Sequence, residues 1–159
     1  AEPFKALIDP DAPEFVPAGN IPERIRRYCR ESGQRVPENE AEIVRCIDES
    51  LAFKYRMTLE EIKMCTGREY PAIHMVGGGT QSGLLCQMTA NACHCPVIAG
   101  PVEATVLGNA AVQLLAAGEL RDLDQVRSVA GASAKVSIYE PKDTDQWEQV
   151  YGQYKKMLE

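Results

Sequence analysis

The chain has 159 residues, enough for one domain or a large part of one to bury a hydrophobic core without a metal or disulfide staple. Its 17 Lys and Arg against 23 Asp and Glu leave a formal charge of -6, and the one basic run is Arg24, Arg26, Arg27 and Arg30, which argues against a nucleic-acid partner. The longest apolar stretch, around Ala110 to Ala117, falls far short of the roughly 20 residues that cross a bilayer, which argues against a membrane-spanning helix. No basic segment followed by an apolar one opens the chain at Ala1-Glu2-Pro3-Phe4, so the expected compartment is the cytoplasm.

Residues 1–20 carry Pro3, Pro10, Pro13 and Pro17 with little periodicity and read as an extended lead-in. A helix is expected from Ile21 to about Ser32, with Asn20 as its cap and Gly33 as its stop. A long helix follows from Asn39, with Ile43, Cys46, Ile47, Ser50, Leu51, Tyr55, Leu59, Ile62 and Cys65 at helical spacing up to Thr66-Gly67. One bent helix or two abutting helices fit that pattern equally.

Ala72-Ile73-His74-Met75-Val76 reads as a short buried strand ending in Gly77-Gly78-Gly79, with a helix from about Thr80 to Cys93. Pro96 to Ala99 is a second short strand, closed by Gly100-Pro101, and a helix runs from Glu103 to Ala117. This order demands a parallel strand pair with a right-handed crossover, and it sets the glycine turn at the carboxyl end of a strand. A helix over Leu123 to Val129, a strand near Val136 to Tyr139 and an amphipathic helix with Trp147, Val150, Tyr151, Tyr154 and Leu158 close the chain. The expected units are thus 1–20, 21–130 and 131–159, in an α/β fold whose sheet is incomplete, with open edges that imply a further segment.

The six cysteines, Cys29, Cys46, Cys65, Cys86, Cys93 and Cys95, are expected as reduced thiols. Were one bridge to form, Cys29 with Cys46 is the candidate, since each lies on the apolar side of one of two successive helices.

Three glycines after a strand let the backbone turn with positive φ and approach a ligand without Cβ interference, and the helix behind them offers free N–H groups. The side chains of Thr80, Gln81 and Ser82 add hydrogen-bonding groups to that turn. A phosphate loop requires Gly-Lys followed by Ser or Thr, and no such lysine follows here. The dinucleotide fingerprint needs glycine three residues after Gly79, where Ser82 stands, and an acid closing the next strand, where Ala99 and Gly100 stand.

The run Ile73-His74-Met75-Val76-Gly77-Gly78-Gly79-Thr80-Gln81-Ser82-Gly83-Leu84-Leu85 resembles the adenosine-binding segment of FGGY carbohydrate kinases. Continued through Val97-Ile98-Ala99-Gly100-Pro101-Val102-Glu103-Ala104-Thr105-Val106-Leu107-Gly108-Asn109, and preceded by Asn39-Glu40-Ala41-Glu42-Ile43-Val44-Arg45-Cys46, it is similar to the rhamnulokinase branch of that family. The resemblance implies an actin-like ATPase fold of two ribonuclease-H-like domains, of which this chain matches the end of the second. It implies ATP or ADP as ligand, with Gly77, Gly78 and Gly79 against the nucleotide, the last two through their backbone, and Ser82 beside adenine, although many members carry Asn there. It also implies Mg²⁺, a ketose such as L-rhamnulose and an N-terminal kinase half in the complete enzyme. The family's catalytic aspartate and main phosphate loops lie upstream of Ala1, so no catalytic residue and no turnover are expected of the chain alone.

Other residues have structural readings. Cys93-His94-Cys95 lacks a fourth ligand at suitable spacing, and His74 is expected as a packed or hydrogen-bonded strand histidine. Glu103 is expected to cap its helix, and Ala104 and Gly108 to bring that helix close to the sheet. Trp147, Tyr151 and Tyr154 are expected in the core. Two other functions stay open at this point: a module that associates with another copy through its sheet edge, and a dinucleotide-dependent oxidoreductase.

Overall fold

A computed structural model describes residues 1–133 and 135–158; Ala134 and Glu159, both within the expected unit 131–159, lie outside the described residues. The elements are α1 (Ile21–Glu31), α2 (Glu40–Thr66), β1 (Ile73–Met75), α3 (Gly83–Cys93), β2 (Val97–Ala99), α4 (Ala104–Ala116), α5 (Leu123–Ser133), β3 (Ser137–Tyr139) and α6 (Thr144–Leu158). Short 3-10 turns occupy Pro13–Phe15 and Gly78–Gln81.

Among the described residues the sheet has three strands in the order β1-β2-β3. β1 and β2 are parallel, with Ile73 opposite Val97 and Met75 opposite Ala99, while β3 returns antiparallel with Tyr139 opposite Val97. The parallel pair demands the crossover that α3 supplies. α3 packs on one face of the sheet through Cys86 and Ala90, against Val97 and Ala99, with Ile73, Met75 and Tyr139 at the margin.

α2 is one continuous helix. Asn39 caps it by accepting from the Glu42 amide at 3.0 Å, and Gly67 ends it in the left-handed conformation, where its missing Cβ removes the steric penalty. Its buried face meets α3 and α6, and Phe53 is enclosed by Phe4, Trp147, Tyr151 and Tyr154 with ring centroids 5.1 to 6.1 Å apart. Trp147, Tyr151 and Tyr154 are core residues, as their spacing indicated. The Arg56 guanidinium lies 3.9 Å from the Tyr151 ring centroid and binds Glu60 and Glu148, so the aromatic cluster ends in an ion-pair rim.

The lead-in is held by side chains in place of a strand. Gln34 takes both polar groups of Leu7, accepting its N–H and donating to its carbonyl, each at 2.8 Å. Glu49 accepts from the Phe4 amide at 2.9 Å and Ser50 from the Ile8 amide at 3.0 Å. Ala6 and Ile8 then join Ile25, Cys29, Ile43 and Cys46 in a second core cluster. Cys29 and Cys46 pack there as neighbours, but all six cysteines are free thiols, so the candidate bridge is not formed.

Several expectations need correction. Asn20 does not cap α1 with its side chain: its φ of 51° is left-handed, which turns the amide away, and Pro22 at the second helical position has no N–H to offer. β1 is only half-buried, and His74 is exposed, because α3 covers one face of β1 and the other stays open. Glu103 precedes α4, but its side chain makes no capping hydrogen bond. Gly108 brings nothing close: a Cβ there would meet no atom within 4 Å, because α4 and α5 pair with each other and bury no residue.

Candidate nucleotide site

β1 and β2 end side by side, and the loops that follow them are bonded together. The Gly77 amide donates to the Pro101 carbonyl at 3.1 Å, and the Gly100 amide donates to the Met75 carbonyl at 2.9 Å. The glycine turn therefore sits over the carboxyl ends of two parallel strands, the position where open α/β sheets form ligand crevices.

Within the turn, Gly77 alone has positive φ, +81°, where a side chain would be strained. Thr80 stabilises this bend twice, donating its hydroxyl to the Gly77 carbonyl at 2.7 Å and its amide to the same oxygen at 3.1 Å. Gly78 and Gly79 are exposed, and their amides donate to no acceptor among the described residues. A Cβ on Gly78 would meet nothing within 4 Å, and one on Gly79 only the Met75 sulfur at 4.0 Å. Two free amides beside open space are a shelf that a flat or anionic ligand can approach closely.

The helix behind the turn starts later than its sequence indicated. Ser82 has an extended backbone, φ -87° and ψ 95°, which breaks the Gly78–Gln81 turn from α3, and its Oγ accepts from the Leu85 amide at 3.2 Å. Ser82 is therefore an N-cap, with its hydroxyl oxygen engaged in holding α3. Below the turn, the Cys86 thiol lies 3.9 Å from the Gly79 carbonyl, and burial raises its pKa.

The structure thus gathers Gly77, Gly78, Gly79 and Ser82 at one corner. Sequence reasoning did not anticipate the Gly77–Pro101 tie or the place of Tyr139, whose hydroxyl lies 3.1 Å from where a Gly83 Cβ would stand. Both depend on strand register, which residue spacing does not encode. From Glu69 to Leu120 the chain has neither Lys nor Arg, so no cationic side chain from that span serves a phosphate at this corner. No group of three or more His, Cys, Asp or Glu side chains among the described residues is placed to hold a metal. Cys93 and Cys95 are half-buried, and desolvation with the neighbouring Cys95 pushes the Cys93 thiol up to about 12.

Residues 1–117 match the model of the FGGY family of carbohydrate kinases, C-terminal domain. The chain belongs to that family. It is 42% identical over 157 residues to a rhamnulokinase of Bacteroides thetaiotaomicron, a match covering 99% of this chain and 32% of that protein. The chain therefore spans about a third of the length of that curated relative. Among solved structures, a gluconate kinase from Lactobacillus acidophilus aligns with a TM-score of 0.61 at 20% identity, over 75% of this chain and 24% of that one. A xylulose kinase from Rhodospirillum rubrum aligns with a TM-score of 0.58 at 19% identity, over 79% and 25%. The α/β arrangement is accordingly that of the C-terminal portion of FGGY sugar kinases, which have the actin-like ATPase fold.

Proposed function

We propose that this chain supplies the adenosine-binding face of an ATP-dependent sugar kinase that transfers the γ-phosphoryl group to L-rhamnulose. The observation that carries the reading is the pair of exposed, undonated amides of Gly78 and Gly79, held over the parallel strand ends by Thr80 and Pro101. Ser82 sits beside them at the start of α3, in the position that faces adenine under this reading. The 42% identity to a rhamnulokinase supports the sugar class.

In this reading residues 1–20 are the lead-in, 21–130 the partial kinase domain and 131–159 the closing strand and helix. The chain's own residues bind and orient the nucleoside. Among the described residues no group of three or more His, Cys, Asp or Glu is placed to hold a metal, and the absence of Lys and Arg from Glu69 to Leu120 leaves phosphate neutralisation to groups outside that span. Mg²⁺, the general-base aspartate and the ketose site belong to an N-terminal kinase half, and the chain alone turns over no substrate. A cytoplasmic location goes with this metabolic role.

Two apolar surfaces support an uncovered contact with that half. One is a groove of about 320 Å³ between α2 and β1, lined by Tyr55, Leu59, Ile62, Ile73 and Met75. The other is the α4–α5 pair, where Val106, Val112 and Leu123 are more than 60% exposed. A second reading, self-association, rests on the same groove, because β1 is an edge strand and leaves one row of backbone groups unpaired.

Calorimetric titration of the chain with ADP and with NAD⁺ tests the site. ADP heat that is lost in Gly79→Asp supports the reading, whereas NAD⁺ binding without ADP binding restores the oxidoreductase alternative. Light scattering tests self-association, and a strictly monomeric chain counts against it.

A further inference from the structure

Tyr139 lies on β3, beyond the residues 1–117 that the family model matches. Across the sheet it shares a register row with Ile73 and Val97, and its ring packs on the α3 side against the Cys86, Ala90, Val97 and Ala99 cluster. The end of the strand is fixed to α3: Gln87 donates to the Glu140 carbonyl at 2.7 Å, and Asn91 accepts from the Lys142 amide at 2.9 Å. The ring is thus anchored by the two ties to α3 that directly follow it.

From that anchor the phenol reaches the first residue of α3. A Cβ built on Gly83 would stand 3.1 Å from the Tyr139 hydroxyl and 3.8 Å from two ring carbons. Gly83 is glycine where a side chain would displace the phenol. The hydroxyl has no hydrogen-bond partner among the described residues, and the half-buried residue next to Gly83 is Ser82, whose Oγ already accepts from Leu85. An aromatic ring with an uncommitted donor and acceptor, beside a backbone shelf, suits a nucleoside better than a phosphate, which calls for charge.

We propose that Tyr139 is a binding residue of this site, with its ring walling the start of α3 and its hydroxyl bonding the nucleoside of the bound adenine nucleotide. This rests on the nucleotide reading above and adds a contact from the chain's last strand. The groove between α2 and β1 lies on the other side of β1 and takes no part.

Titration calorimetry of the chain with ADP and with adenosine tests it, using wild type, Tyr139→Phe and Gly83→Ala, with thermal unfolding as control. Tyr139→Phe is expected to weaken ADP and adenosine by the same factor, about three- to tenfold, with unfolding unchanged. Gly83→Ala is expected to weaken both ligands while leaving stability equal or higher, since alanine favours helix and the phenol yields. ADP affinity equal to wild type in both variants overturns the proposal and leaves the nucleotide site standing. Weakened ADP with unaltered adenosine overturns it too, because the contact then belongs to the phosphates. Failure of wild type to bind ADP overturns the nucleotide reading and this inference with it.

Discussion

The Thr80 hydroxyl donates to the Gly77 carbonyl at 2.7 Å and, with the Thr80 amide on the same oxygen at 3.1 Å, closes the bend that exposes the next two amides. Gly77 supplies the left-handed φ of +81°, and Thr80 holds the carbonyl down while Pro101 holds the amide. Thr80→Val removes the bond but keeps the shape of the side chain. A net hydrogen bond is worth about 0.5–1.5 kcal/mol, so ADP should bind about two- to tenfold more weakly to Thr80→Val. Thr80→Ser should restore it, and equal affinities for all three by calorimetry would show that the clasp does not shape the site.

Gln34 is the main polar tie of the lead-in, engaging Leu7 through both its amide oxygen and its amide nitrogen. Gln34→Ala leaves a partly buried N–H and C=O unpaired, and should cost about 1–3 kcal/mol in urea unfolding. Limited proteolysis should cut first within residues 1–8 in the variant. Unchanged stability and an unchanged cleavage pattern would mean that apolar burial of Ala6, Leu7 and Ile8 suffices.

Burial raises the Asp48 carboxyl above its ordinary value of 3.8. A raised folded-state value means that the folded chain holds the proton more tightly than the unfolded one. Stability from this group is therefore greatest below 3.8 and falls as pH rises through the folded-state value. Asp48→Asn should raise the melting temperature at pH 7, with the gain shrinking as the pH falls through the raised folded-state value towards 3.8 and absent below it. A gain of the same size across that range would point to packing and not to charge.

The cysteines should label in an order set by burial and acidity. Cys65 is exposed, Cys29, Cys46 and Cys86 are buried, and half-buried Cys93 is pushed up to about 12. Iodoacetamide at pH 8 followed by peptide mass spectrometry should find Cys65 alkylated first. Early alkylation of Cys29 or Cys46 would mean that α1 opens from α2 readily.

Much of the architecture was readable from local pattern. The Asn39 cap, the Gly67 stop and the spacing of apolar residues specify α2, and the strand-turn-helix-strand order of 73–99 specifies a parallel pair. Burial was less readable. Leu107 and Ala111 have core spacing, yet α4 buries no residue, because a period reveals an apolar face without revealing what covers it. At the site, the glycine turn was legible through the types and spacing of its residues. The capping by Ser82 and the approach of Tyr139 were not, since the first depends on backbone angles and the second joins residues 56 positions apart by fold alone.

The most direct test of the nucleotide shelf is an amide NMR titration of the chain with ADP. The expected result is saturable shifts largest at Gly78, Gly79 and the first residues of α3, abolished by Gly79→Asp. Shifts that leave Gly78 and Gly79 unmoved at millimolar ADP, or that are the same in Gly79→Asp, would contradict it.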